Sequence, residues 1–99
     1  MTIYKEPLEF QWDKGNIGKN VKKHKVQDKE TEEIFFDECK KTFKDTLHSG
    51  GELRFRVIGK TKKEKLLFVV FTVRKEKIRI ISARNINRKE EYLYYEKTA

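Results

Sequence analysis

Glu52, Arg54, Arg74, Arg79 and Arg84 are residue types suited to handling a phosphate diester, and their spacing lets strands present them together. A guanidinium keeps its charge at any physiological pH and offers a fork of donors that matches phosphate oxygens. Arg54, Arg79 and Arg84 are the primary candidates, with Arg74 behind them, and Arg56 reads as an ordinary solvent-facing strand residue. Proton transfer needs a base near neutrality, and here Glu52 competes with His24. Imidazole has the suitable ordinary pKa, but His24 shares a stripe with Ile17 and Val21 and reads equally well as a packing residue. Glu52 reads equally well as the ion-pair partner of Arg54. His48, in a Gly-rich stretch, has little claim. The sequence contains no Gly-rich phosphate loop, no Ser–His–Asp set and no metal-ligand cluster.

Strands must position these groups. Leu66 to Val73 is an apolar run broken only by Thr72, rich in β-branched and aromatic residues, as in a strand buried on both faces. From Lys77 to Arg84, KIRIISAR alternates apolar and polar residues with the period of a strand that has two unlike faces. With Lys75 and Glu76 between them, the two runs form an antiparallel hairpin. Val73 then faces Ile78, Phe71 faces Ile80 and Val69 faces Ser82 on the core side. Thr72 faces Arg79, Val70 faces Ile81, and Arg74 sits beside Lys77 on the other side. That pairing turns Arg84 toward the core side at the strand's end, where it could clamp the closing helix. Glu52 to Ile58 reads as a strand with Leu53, Phe55 and Val57 inward and Glu52, Arg54 and Arg56 outward.

The remaining elements are shorter. Leu8, Phe10 and Trp12 alternate with Glu9 and Gln11 as a first strand, and Asp13 is placed to cap a helix. Lys14 to His24 has helical periodicity, with Ile17, Val21 and His24 on one stripe and Asn16, Asn20 and Lys23 on the adjoining one. Gly15 and Gly18 weaken that helix, so docking must hold it. A second helix, capped by Asp28 or Thr31, runs to about Lys40 with an acidic first turn. HSGG at 48–51 is a break, and Gly59 to Lys65 is a lysine-rich loop. Asn87 and Glu90 have capping-box spacing ahead of a helix from about Arg88 to Lys97. The order is strand, two helices, three-stranded meander and helix, an α+β domain.

At 99 residues the chain is one domain, and its formal charge of +8 points to a polyanionic partner. No run is long enough to cross a membrane, and the N-terminus lacks an apolar signal core, so a cytoplasmic location is expected and a membrane partner is not. A lone cysteine, Cys39, leaves no internal disulfide and no Cys-based zinc site. No cofactor is expected.

WDKGNIGKNVKKH matches W-D-x-x-K-x-x-x-N-x-x-K-H at Trp12, Asp13, Asn20, Lys23 and His24. Phe36-Asp37 matches an F-D element, Glu52 with Arg54 an E-x-R strand entry, and FTVRKEKIRIISAR with Glu90 and Tyr94 a C-terminal signature. Over roughly residues 10 to 95 the chain resembles the BrnT family, toxins of bacterial type II toxin–antitoxin pairs. Asn16 stands where that family usually has Lys, and Lys25 where it usually has Gly; Lys19, one turn on, is placed to substitute for the first.

The resemblance implies a RelE-like fold, a ribonuclease that arrests translation, and a small DNA-binding antitoxin that masks it. Metal-independent RNA cleavage needs a base for the 2′-hydroxyl, an acid for the leaving 5′-oxygen, and cations for the phosphate. Glu52 or His24 would be the base, Lys23 or Tyr94 the acid, and Arg54, Arg79 and Arg84 the cations. Lys19, Lys23, Arg74 and Tyr94 would bind RNA. The competing expectations are a non-catalytic nucleic-acid-binding module and a basic protein-interaction domain.

Overall fold

The computed structural model describes residues 8–45 and 52–96, so the expected break at 48–51 and the last residues of the closing helix lie outside the described residues. Helix α1 spans Lys19–His24 and α2 Asp28–Glu33, followed by a 3-10 turn, Ile34–Phe36. Strands β1 (Lys41–Asp45), β2 (Arg54–Lys60), β3 (Leu66–Arg74) and β4 (Lys77–Asn85) form one antiparallel sheet in that order, and α3 spans Arg88–Tyr95. The fold is α+β, as expected.

The hairpin forms where the alternation places it. Lys75 and Glu76 both take positive φ, 48° and 67°, which gives the turn the twist that two antiparallel strands need. Val73–Ile78, Thr72–Arg79, Phe71–Ile80 and Arg74–Lys77 pair as expected. Beyond them the expected register fails. Ile81 is an extra residue, so Val70 pairs with Ser82 and Val69 with Ala83. The bulge buries Ala83 and turns Ser82 to the opposite face of the sheet, across from Val70, so that no unpaired hydroxyl enters the core, where it would be costly. It also moves Arg84 opposite Phe68, onto the face that carries Arg79, instead of the core side.

Other expectations also need correcting, among them the second helix, which ends at Glu33 with a 3-10 turn to Phe36 instead of running to about Lys40. The first strand around Phe10 is a single parallel bridge to Ile78, with Gln11 N–H donating to Ile78 O and Ile78 N–H to Glu9 O, both at 2.8 Å. The sheet's fourth strand is β1, whose sequence KTFKD holds one apolar residue and so carries no readable alternation. The helix expected from Lys14 begins only at Lys19, because Gly18 takes a left-handed φ of 66° and residues 14–18 form turns. Its supposed apolar stripe faces water: Ile17 is 60% and Val21 39% exposed, while Asn16 and Asn20 are buried.

Edge chemistry explains that inversion. β4 ends the sheet, and outward backbone groups of an edge strand need partners once they are covered. The N-terminal segment satisfies Ile78. Asn16 Nδ2 donates to Ile80 O at 3.2 Å and to Gln11 O at 2.9 Å, and Asn20 Oδ1 accepts from Ala83 N–H at 3.0 Å. An amide side chain offers both donor and acceptor, so two asparagines continue the ladder where main chain departs.

The second helix is capped by Gln27, which shares a box with Glu30, while Asp28 instead accepts from Gly18 N–H at 2.8 Å. The core lies between the helices and one face of the sheet: Val26, Ile34, Phe35, Val57, Leu67, Val69, Phe71, Ile78, Ile80 and Ala83. Phe35 sits edge-on to both Phe10 and Phe71, with centroids 5.4 and 5.1 Å away. Gly59 permits the close approach here, since a Cβ would lie 2.9 Å from both Cβ and O of Ile34.

Candidate functional site

The sheet face turned away from that core is built in cross-strand rows. Asp45, Arg54, Thr72 and Arg79 form one; Phe43, Arg56, Val70 and Ser82 the next; Lys41, Ile58, Phe68 and Arg84 the third. Helix α3 lies over the end beyond the third row. Its Asn87–Glu90 capping box forms as the spacing predicts. Glu90 accepts two bonds from Arg84, at 2.8 and 2.6 Å, and the Arg84 guanidinium rests 4.3 Å from the Phe68 ring centre. Arg84 thus clamps the closing helix, and does so from the arginine face. At the other end the Tyr94 hydroxyl donates to Asp37 Oδ2 at 2.6 Å, and the same oxygen accepts from Lys60 N–H at 2.8 Å.

In the first two rows Asp45 and Thr72 are buried, Arg54, Arg56, Val70, Arg79 and Ser82 are half-buried, and Phe43 is exposed. Arg54 and Arg79 flank Thr72 there, on one side of the sheet. Arg79 is held by Asp13 through two bonds, 2.7 and 3.0 Å, and reaches Gln11 at 3.3 Å. Asp13 therefore does more than begin a turn: it also accepts from Gly15 N–H at 2.8 Å. The bond from Arg79, then that from Gly15, lowers its pKa below the ordinary carboxylate value. Glu52 pairs not with Arg54 but with Arg74, through bonds of 2.6 and 3.0 Å. Arg74's bond lowers the Glu52 pKa, and the nearby charges of Arg54 and Arg79 add to the effect. At neutral pH Glu52 is a carboxylate facing three guanidinium groups.

Arg54 and Arg56 differ from their neighbours. Their Nε atoms are buried without a hydrogen-bond partner. Among the described residues the ion pairs on this face engage Arg74, Arg79 and Arg84, and neither Arg54 nor Arg56. A buried guanidinium nitrogen with no bond among the described residues is uncommon and sets these two side chains apart from Arg74, Arg79 and Arg84.

The other sequence candidates fall elsewhere. Lys19, Lys23 and His24 ride on α1 beside the outer edge of β4, exposed, and among the described residues no bond links them to the open-face arginines. Tyr94 is buried; burial, then the bond to Asp37, pushes its phenol well above the ordinary range, so it keeps its proton and buckles α3 down. His48 lies outside the described residues. Sequence reasoning set Arg56 aside and did not consider Phe43, because the strand that carries Phe43 was not legible; Arg56 shares the outward alternation of Arg54, which was the available signal. Among the described residues no helix is long and apolar enough to cross a membrane.

Among curated proteins no relative matches the chain. The family model described as "Ribonuclease toxin, BrnT, of type II toxin-antitoxin system" matches residues 12–90, which takes in Asp13, Glu52, every arginine of the open face and the Asn87–Glu90 cap. The chain belongs to the BrnT family of ribonuclease toxins of type II toxin–antitoxin systems.

Proposed function

We propose that this protein is a metal-independent endoribonuclease of the cytoplasm that stops translation until a cognate, DNA-binding antitoxin covers it. Membership in the family brings an RNA target and an antitoxin partner with it. The observation that carries the catalytic part is the row Arg54–Thr72–Arg79 with the Glu52 carboxylate beside it. An RNA strand laid across this row puts a phosphate between two guanidinium groups, which neutralise the charge that builds on its non-bridging oxygens. Glu52, already ionised, takes the proton of the adjacent 2′-hydroxyl. That oxygen then attacks phosphorus, and the 5′-oxygen leaves, protonated by water at this open face. Arg74 holds Glu52 in place with its paired bonds. Lys19 and Lys23, on α1, extend the positive surface along which the strand runs. His24 serves no proton transfer in this scheme, because it rides on a different element from the arginine row.

The test is cleavage of end-labelled RNA in the presence of a chelator, by wild type and by Arg54→Gln. Wild type should cut with the chelator present. Arg54→Gln should lose at least about 100-fold in rate, the scale of removing one preorganised charge-stabilising donor, with an unchanged melting temperature. Wild-type cleavage by Arg54→Gln would refute the assignment. Dependence on added metal would refute the metal-independent step.

A further inference from the structure

Strand β1 brings Phe43 to the second row of the open face, directly across from Arg56. The ring is 36% exposed and takes no part in the core cluster. Arg56 and Arg54 alternate on the same side of β2, about 6.6 Å apart along the strand, and both carry a buried, unbonded Nε. Proteins grip single-stranded nucleic acid with this pair of features: an aromatic face on which a base stacks, and fixed cations along the backbone.

We propose that Phe43 and Arg56 form a subsite for one unpaired nucleotide next to the cleaved phosphate, its base stacked on Phe43 and its phosphate held by Arg56. The proposal rests on the ribonuclease reading above and adds to it where the neighbouring nucleotide sits. Arg54 and Arg79 hold the scissile phosphate one row away, so a strand crossing from row to row meets both sites in succession. An acidic protein segment would also satisfy the guanidinium groups, but it has no need of an aromatic face. The geometry favours a nucleotide because the exposed group beside the cations is a ring.

Binding of a 2′-O-methyl single-stranded RNA, which cannot be cut, to the full chain separates these cases by fluorescence anisotropy. Phe43→Ala should weaken binding about ten-fold, as loss of one stacked base does, and Phe43→Leu should weaken it similarly. Phe43→Trp should bind at least as well as wild type. Arg56→Gln should flatten the log–log salt dependence by about 0.7, one phosphate contact on a single strand. Melting temperatures within a few degrees of wild type confirm that each variant is folded, and the Leu and Trp forms keep a large side chain should Ala perturb the strand. Wild-type affinity in Phe43→Ala or Phe43→Leu overturns the subsite and leaves the ribonuclease reading standing. The subsite is equally overturned if Phe43→Ala loses antitoxin but keeps RNA, since the ring then belongs to the protein partner. A wild-type chain that neither binds nor cuts RNA removes the underlying reading itself.

Discussion

Glu52 illustrates how one carboxylate's role depends on what its neighbours are doing. In the free protein Arg74, Arg54 and Arg79 hold its pKa below the ordinary carboxylate value, which ionises it but makes it a weak base. In the proposed mechanism a phosphate at Arg54 and Arg79 would cancel part of that field and make Glu52 more basic with substrate bound. Glu52→Gln should therefore slow cleavage by about 100-fold, the lower end of what a positioned base contributes, while His24→Ala should leave the rate near wild type. The sign of the pH effect follows directly: the base works only when deprotonated, so activity is lost as pH falls through its pKa. The acidic limb of kcat/KM, set by the free enzyme, should lie below the usual carboxylate range, and that of kcat should lie higher. A limb in the neutral range that disappears in His24→Ala would transfer the role to the histidine.

Two joints between elements store strain or exclude bulk, and each is testable by stability. Helix α1 ends at Lys25, which takes φ 57° and ψ 31°, while Lys25 N–H bonds to Val21 O and Val26 N–H to Asn20 O. This is a helix stop built around a left-handed residue, the position where glycine is preferred. Lys25→Gly should raise stability by about 0.5–1 kcal/mol, the left-handed cost of an L-residue less the extra chain entropy of glycine, read from urea midpoints at constant slope. Gly59 is the opposite case. A methyl at this position meets backbone and side chain of Ile34, which cannot swing aside, so Gly59→Ala should cost about 1–3 kcal/mol. A Gly59→Ala protein as stable as wild type would show that the 3-10 turn yields freely.

Taken whole, the molecule is a sheet with its apolar core on one side and, on the other, arginines, with helix α3 over one end. A net charge of +8 suits a polyanion, yet this face is more than a basic patch: carboxylates hold Arg74, Arg79 and Arg84, and among the described residues no ion pair engages Arg54 or Arg56. Those carboxylates also tie stability to pH. Asp13, Glu30, Asp37, Glu52 and Glu90 all have lowered pKa values in the folded chain. For Glu90 the bond from Arg84 dominates; for Asp37 burial opposes ionisation, but the bonds from Tyr94, Lys60 and Cys39 outweigh it. Depressed folded values mean that the unfolded chain binds more protons as pH falls, so stability rises with pH through that window. The melting temperature should be level above about pH 5 and fall steadily below about pH 4. Glu30, Asp37 and Glu90, the more covered members, should account for most of the loss, because the pairs of Asp13 and Glu52 are exposed and screened by solvent.

Short-range pattern alone determined much of this protein. The apolar run from Leu66, the alternation from Lys77 to Arg84 and that from Glu52 to Ile58 specified the hairpin, the residues flanking its turn and the shared face of Arg54 and Arg79, because a strand's two-residue period assigns each side chain a side. Asn87 and Glu90 specified the start of α3, because a capping box closes within one turn, and the spacing of Trp12, Asp13, Asn20, Lys23 and His24 carried the family. Tertiary structure alone decided the rest. The bulge at Ile81 moved Arg84 to the other face, because pairing geometry, rather than periodicity, chooses which residue is left over. Asn16 and Asn20 went inward and Ile17 outward, because an unfinished sheet edge needs donors and acceptors more than it needs methyl groups. Glu52 chose Arg74, and Arg79 chose Asp13, because ion pairs form between groups that the fold brings together from distant positions. Phe43 and Arg56 became neighbours for the same reason, through pairing of a strand whose own sequence has no period to read.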